Sequence, residues 1–163
     1  MIDAFVQLKK VCPNEYKLVL AGRPGYGFDA YEEKIKQSGY SKDIICTGYI
    51  DSGDVQKLYQ NAAAYIFPTI YEGFGSTQLE CMANHLPLIL SDIPTNREVS
   101  GDYGLFFSLS DPTTLVQQME KIVSREYDYP AHRALAEEYL KKFSWDEIAF
   151  QVHHFYESIL KVN

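Results

Sequence analysis

The sequence predicts an α/β fold, a mainly parallel sheet with helices on both faces. Three observations point there. Short, β-rich apolar runs recur along the chain, as in Tyr16 to Ala21 and Ala63 to Phe67. Between them lie segments whose apolar residues follow the helical period and which carry their own start and stop signals. The 163 residues, 46% hydrophobic and 23% charged, suit one domain with a proper core. Strands buried on both sides read as continuous apolar runs, so short runs alternating with helices imply a sheet covered on both faces.

The elements follow in order. Ile2 to Val11 is helical, with Ile2, Phe5, Val6 and Leu8 in period and Lys9 and Lys10 near its end. Cys12-Pro13-Asn14 breaks it, and Tyr16 to Ala21 is a strand. A permissive loop follows, with Gly22, Pro24, Gly25 and Gly27. Asp29, with Glu32 three residues on, predicts a capped helix that stops at Gly39. Ile44 to Thr47 is a strand, Ser52 to Asn61 a helix with Val55, Leu58 and Tyr59 on one face, and Ala63 to Phe67 a third strand. The second half repeats the rhythm. Ser76 to Asn84 is helical, Leu88 to Leu90 a strand, and Thr95-x-x-Glu98 opens a short helix. Gly104 to Phe107 is a strand, and Asp111 with Pro112 starts a helix running to about Arg125. Helices from Tyr129 to Lys142 and from Ser144 to Leu160 close the chain. The last begins with the capping box Ser144-x-x-Glu147. It carries a stripe of Trp145, Ile148, Ala149, Val152, Phe155, Tyr156 and Ile159 that is expected to be buried. Opening on a helix is unusual, because a crossover helix needs a strand before it as well as after it.

Charge narrows the function. The formal net charge is -7 and no basic cluster interrupts it, which argues against a nucleic-acid surface. A bound phosphate must then rely on local amides and helix ends. Cys12, Cys46 and Cys81 have neither CxxC nor zinc-finger spacing and read as reduced, buried thiols of a cytosolic protein. No run approaches the ~18 apolar residues of a membrane span.

In an open α/β sheet, ligands bind outside the carboxyl ends of the strands. The loops there are Gly22 to Phe28, Gly48 to Ser52, Pro68 to Gly75 and Ser91 to Thr95, which are expected to converge on one crevice. The third is the most informative, because it leads into Tyr71-Glu72-Gly73-Phe74-Gly75-Ser76-Thr77-Gln78-Leu79-Glu80. Gly73 and Gly75 let the backbone approach a ligand closely. The amides of Gly75, Ser76 and Thr77 are unpaired donors of the next helix's first turn, where the dipole favours an anion. Glu72 and Glu80 add carboxylates, which only accept and so suit vicinal hydroxyls. The plainer readings are a solvated loop charge for Glu72 and a capping box, Thr77-x-x-Glu80, for Glu80. Backbone donors for oxyanions beside acceptors for hydroxyls match a phosphorylated sugar.

With those pieces quoted, the chain resembles a known family. YEGFGSTQLECMA, PLILSDIPTNREVSGDYGLFF and SDPTTLVQQMEKI, preceded in order by AFVQLKK, YKLVLAG and ICTGYID…LYQNAAAYIFP, look like the C-terminal, donor-binding domain of retaining GT-B-type glycosyltransferases of the group 1 kind. The resemblance covers nearly the whole chain and implies that residues 1–163 form a single nucleotide-sugar-binding domain. It implies a Rossmann-like, doubly wound half of a GT-B fold, and a UDP- or GDP-linked sugar as donor. Glu72 would contact the donor sugar's hydroxyls at the catalytic centre, with the amides of Gly73, Phe74 and Gly75 alongside. Ser76 and Thr77 would cradle the diphosphate, and Glu80 would hold the ribose. Gly48, Tyr49 and Ile50 would meet the base, with Arg23 approaching base or phosphates. The family implies no obligatory metal or cofactor, and no ligand set for one is present.

The pattern departs from the family in two places. Asn84-His85 stands where a glycine usually ends the helix, and both residue types tolerate a left-handed cap. His85 therefore reads as a cap, while His132, His153 and His154 read as surface or packing residues. The family domain also opens with a strand, a Gly-Arg turn and a lysine whose charges neutralise the leaving diphosphate. The chain starts at the following helix, so the expectation is a fragment lacking that first strand, both cations and the N-terminal acceptor domain. The parent is expected to be a cytoplasmic hexosyltransferase of polysaccharide biosynthesis acting on a glycan or lipid-linked acceptor. No membrane anchor is expected in this chain, and peripheral association of the parent at the inner membrane face stays open. The alternatives are a non-catalytic nucleotide or nucleotide-sugar module, a GT-B-type sugar-nucleotide epimerase fragment, and a structural domain with a dead site.

Overall fold

Five short strands, each apolar and each followed or preceded by a helix, build the frame. They are β1 (Leu18–Ala21), β2 (Ile44–Gly48), β3 (Tyr65–Phe67), β4 (Leu88–Ser91) and β5 (Gly104–Phe107). The helices are α1 (Ile2–Val11), α2 (Phe28–Gln37), α3 (Ser52–Asn61), α4 (Ser76–Ala83), α5 (Pro94–Ser100), α6 (Thr113–Val123), α7 (Tyr129–Lys141) and α8 (Trp145–Leu160). These come from a computed structural model that describes residues 1–13, 15–124 and 126–160. The expected extension of α6 to Arg125 and the Asn14 end of the first break lie outside the described residues.

Every ladder is parallel, but the strands form two sheets instead of one. β1 pairs with β2, and β4 pairs with β3 on one side and β5 on the other. Side chains alternate between faces with the strand period. Ile66, Ile89, Leu105 and Phe107 pack with Leu18, Ile44, α1 and α6. Tyr65, Phe67, Leu88, Leu90 and Phe106 pack with α3, α4 and α7. β4 is buried at all four positions, as a central strand between two helical layers must be. Both sheets feed the first of these cores, so the doubly wound α/β class holds although the ladder is broken between β1–β2 and β3–β4–β5.

Several local expectations change. α2 starts at Phe28 on a left-handed Gly27, so Asp29 lies in its first turn and caps nothing. α5 starts at Pro94 with Ile93 before it, one residue ahead of the expected Thr95. Asp111 does accept from the Thr113 amide at 3.0 Å, but Pro112 sits outside the helix and not at its first position. Ser144 Oγ accepts from the Glu147 amide at 3.1 Å, while the Glu147 carboxylate accepts from Gln151 instead of closing the box. Lys9 is buried, paired with Asp43 at 3.1 Å and placed over the Phe5 ring. Cys81 is buried and Cys12 half-buried, but Cys46 is exposed.

The largest difference is α8. No residue of it is buried, and Trp145 is 84% and Phe155 61% exposed. Its apolar stripe is real, but these residues supply no surface to cover it. No helix of the described residues is long and apolar enough to cross a membrane.

Candidate functional site

The loop after β3 turns back over the amino end of α4. Gly75 makes this possible. It holds φ at +82°, and a β-carbon there would fall 2.4 Å from the Gln78 amide. No side chain caps α4, so its first amides stay open to a ligand. Phe67, Glu72, Phe74, Gly75, Ser76 and Thr77 line a pocket of about 370 Å³ at this point. Five of the residues read from the sequence as the anion and sugar site therefore meet in one place, and Gly73 sits in the same turn, with its amide donating to Glu72 Oε1 at 3.1 Å.

One polar group of this pocket, the Thr77 hydroxyl, is left without a hydrogen bond among the described residues. It is buried, with the Tyr65 phenol as its polar neighbour. The capping box with Glu80 is not formed, which removes the plainer reading of that glutamate. Glu80 instead accepts from the Tyr59 hydroxyl on α3 at 3.2 Å. Burial first, then the neighbouring Cys81, Tyr65 and Glu80, hold the Tyr59 phenol far above its ordinary pKa, so it remains a donor to that carboxylate. Burial also pushes the adjacent Cys81 thiol up to about 12, which leaves it an inert packing group. Glu80 does not line the pocket of Glu72.

The expected base-binding residues form a second group. The Gly22 amide donates to the Gly48 carbonyl at 3.0 Å, joining the loops after β1 and β2. The Arg23 guanidinium lies over the Tyr49 ring at 4.7 Å, an exposed cation–π pair, with Ile50 half-buried next to Tyr49 in sequence. None of Arg23, Tyr49 and Ile50 lines the pocket of Glu72. The two groups divide as the sheets divide, one on β1–β2 and one on β3–β4. No lining residue of the pocket is cationic, and among the described residues no group of three or more His, Cys, Asp and Glu is placed to hold a metal.

His85 takes the left-handed conformation, φ 53°, at the end of α4. The Leu86 amide donates to the Cys81 carbonyl and the His85 amide to the Met82 carbonyl, each at 2.9 Å, the paired bonds of a Schellman stop. His153 and His154 are exposed beside Glu157, and His132 packs its ring against Tyr127.

Comparison with known proteins carries the pattern further. The profile of the family described as glycosyl transferases group 1 matches residues 1–142. The chain belongs to this family. Among its relatives is the O-antigen chain mannosyltransferase B of Escherichia coli, 28% identical over 161 residues, covering 96% of this chain and 41% of that protein. Two of the solved structures that share the fold illustrate it. They are sucrose-phosphate synthase from Thermosynechococcus elongatus (TM-score 0.76, 22% identity, 99% of this chain and 43% of that one) and the pneumococcal O-GlcNAc transferase GtfA in complex with UDP and GlcNAc (TM-score 0.72, 23% identity, 98% and 32%). The Rossmann-like α/β architecture of GT-B glycosyltransferases is thereby shown for this group 1 domain, which spans about two fifths of its curated relative. The family profile ends at residue 142, so α8 lies beyond it.

Sequence reasoning missed the residues that support the site. Gln78, Ser91, Thr95 and Asn96 hydrogen-bond behind the Glu72 loop, and Phe143 packs edge-on against Phe74 with ring centres 5.8 Å apart. Gln78, three and four residues before Cys81 and Met82 on one face of α4, was the available signal.

Proposed function

We propose that this domain binds the nucleotide-diphosphate sugar donor of a retaining glycosyltransferase, which moves a hexose to a glycan or lipid-linked acceptor. One observation carries the reading. Glu72 and the free amides of Ser76 and Thr77 meet in one pocket at the carboxyl end of the sheet, where sugar hydroxyls need acceptors and a diphosphate needs donors. Glu80, presented one turn further along α4, would take the ribose hydroxyls beside Tyr59. The Arg23–Tyr49 pair and Ile50 would flank the base. The relative named as an O-antigen mannosyltransferase favours a GDP-linked mannose and a role in surface polysaccharide synthesis. The GtfA structure with UDP keeps a UDP-linked sugar in contention.

Catalysis would rest on positioning and on neutralising the departing diphosphate. The pocket has no cation of its own, so positive charge would arrive from polypeptide beyond these residues, as would an acceptor domain. The broken ladder supports the same idea. A strand feeding α1 would by the right-handed crossover rule lie parallel beside β1, between the two sheets. It would bring the Glu72 group and the Arg23 group onto one crevice.

Titration calorimetry with GDP-mannose and UDP-glucose tests the reading. Binding of one of them, weakened about tenfold or more by Glu72→Ala and by Glu80→Ala, is the expected result. Unchanged affinity in both variants would mean a site with no role in the donor. Sugar transfer by residues 1–163 alone is expected to be negligible, and turnover in a transfer assay would refute the need for outside cations.

A further inference from the structure

Four fully buried polar side chains lie behind the Glu72 loop. Gln78, Ser91, Asn96 and Ser100 come from α4, the end of β4 and α5, and each is 0% exposed. Their bonds form one chain. Ser100 Oγ donates to Gln78 Oε1, and Gln78 Nε2 donates to Asn96 Oδ1 at 2.8 Å. Asn96 Nδ2 donates to the Ser91 carbonyl at 2.9 Å and to Ser91 Oγ at 3.1 Å. Ser91 Oγ in turn donates to the Thr69 carbonyl and, more weakly, to that of Phe67 at 3.4 Å. Beside it, Thr95 Oγ1 donates to the Glu72 carbonyl at 3.0 Å.

Burying four polar groups costs free energy that apolar residues of the same shape would not, so their presence needs a reason. A role in fixing the fold accounts for the burial but not for where the bonds end. Residues 68–74 make no backbone–backbone hydrogen bond among the described residues. Among the described residues, hydrogen bonds from the rest of the protein reach that stretch only through Ser91 and Thr95. Gln78 also fills the space under Gly75 that a side chain would otherwise claim. The network therefore sets the position of a loop that has no ladder of its own.

We propose that Gln78, Ser91, Thr95 and Asn96 are positioning residues for the donor sugar. They hold the Glu72 carboxylate at a fixed place relative to the open amides of α4, so sugar and diphosphate are gripped together. This rests on the reading of Glu72 as the sugar contact. The anion-binding amides belong to α4 itself and bond to neither Ser91 nor Thr95, so loosening the loop at those two residues weakens the hold on the sugar and leaves the hold on the diphosphate.

The test compares two ligands on each variant of the full chain, a nucleoside diphosphate and its sugar-linked form (GDP with GDP-mannose, UDP with UDP-glucose), by titration calorimetry. Thr95→Val and Ser91→Ala each remove a bond to the loop, and Gln78→Met removes the amide under Gly75. For Thr95→Val and Ser91→Ala the expected result is a loss of about fivefold or more for the sugar-linked ligand, with the diphosphate changed less than about twofold; Gln78→Met, which also touches the start of α4, is expected to weaken the sugar-linked ligand at least as much. Thr95→Ser, which keeps the hydroxyl, is expected to restore the sugar-linked affinity. Parallel losses for both ligands, or no loss for either, would overturn the positioning role while leaving the binding site in place. A wild-type chain that binds neither ligand would overturn the site reading and this inference together. Should Gln78→Met not fold, Thr95→Val decides, because Thr95 is only half-buried and its replacement keeps the same shape.

Discussion

Gly75 shows how much one residue can decide. Its left-handed backbone and the Gln78 amide beneath it leave no room for a methyl group. Gly75→Ala is expected to destabilise the protein by about 1–3 kcal/mol, measured by urea unfolding, and to disturb the pocket as well. His132 makes a different point. Burial lowers its pKa, while its hydrogen bond to the Tyr103 carbonyl at 3.0 Å and the nearby Asp128 pull the other way without cancelling the effect. The ring packs against Tyr103 and Tyr127, neither of which carries a charge at neutral pH. A histidine whose folded pKa is depressed binds fewer protons folded than unfolded. Its stabilising effect is complete above the unfolded value of about 6.5 and is lost as pH falls through the lowered folded value. Thermal melts from pH 7 down to 5 are expected to show a falling Tm, and His132→Gln to flatten that fall. The glycine was legible in the sequence as a permissive turn. The histidine's burial was not, because Tyr103, whose ring and carbonyl it meets, lies 29 positions away and only packing brings it there.

At the scale of elements, local signals were read well where they act within a few residues. α3 spans the expected residues, and its Asp51 side chain accepts from the Asp54 amide at 2.9 Å. Asp51→Ala is expected to cost about 1 kcal/mol by denaturant titration. The left-handed His85 stop was also legible, since it needs only a residue type and a position. Asp29 misled because Gly27 offered an earlier helix start. α8 misled for another reason. A period of apolar residues says that a face can be buried, not that a partner lies within the same stretch of chain. Val152→Lys and Phe155→Lys are expected to change the stability of this domain by less than about 0.5 kcal/mol in thermal melts.

At the scale of the molecule, the fold rests on β4. Leu88, Ile89 and Leu90 lie between two helical layers and are at most 1% exposed. Leu88→Ala is expected to cost about 2–5 kcal/mol. The broken ladder also has a measurable consequence. If a further strand completes it in a longer polypeptide, amide protons along β1 and β3 should exchange with solvent more slowly there than in residues 1–163 alone. Equal exchange would mean that the two sheets stay apart.

The sequence by itself determined the α/β class, the order of strands and helices, and the loop from Glu72 to Thr77 as a glycine turn that leads into an uncapped helix start. All three depend on local periodicity, backbone freedom and helix-end donors, which a short window contains. Only the tertiary structure decided that Glu80 binds Tyr59 instead of capping α4 and that the candidate site falls into two groups. It alone showed that a buried chain of amides and hydroxyls holds the loop. Those facts depend on contacts between residues roughly 20 positions apart or on the pairing of strands, and side-chain type alone does not say which of several distant partners will be met.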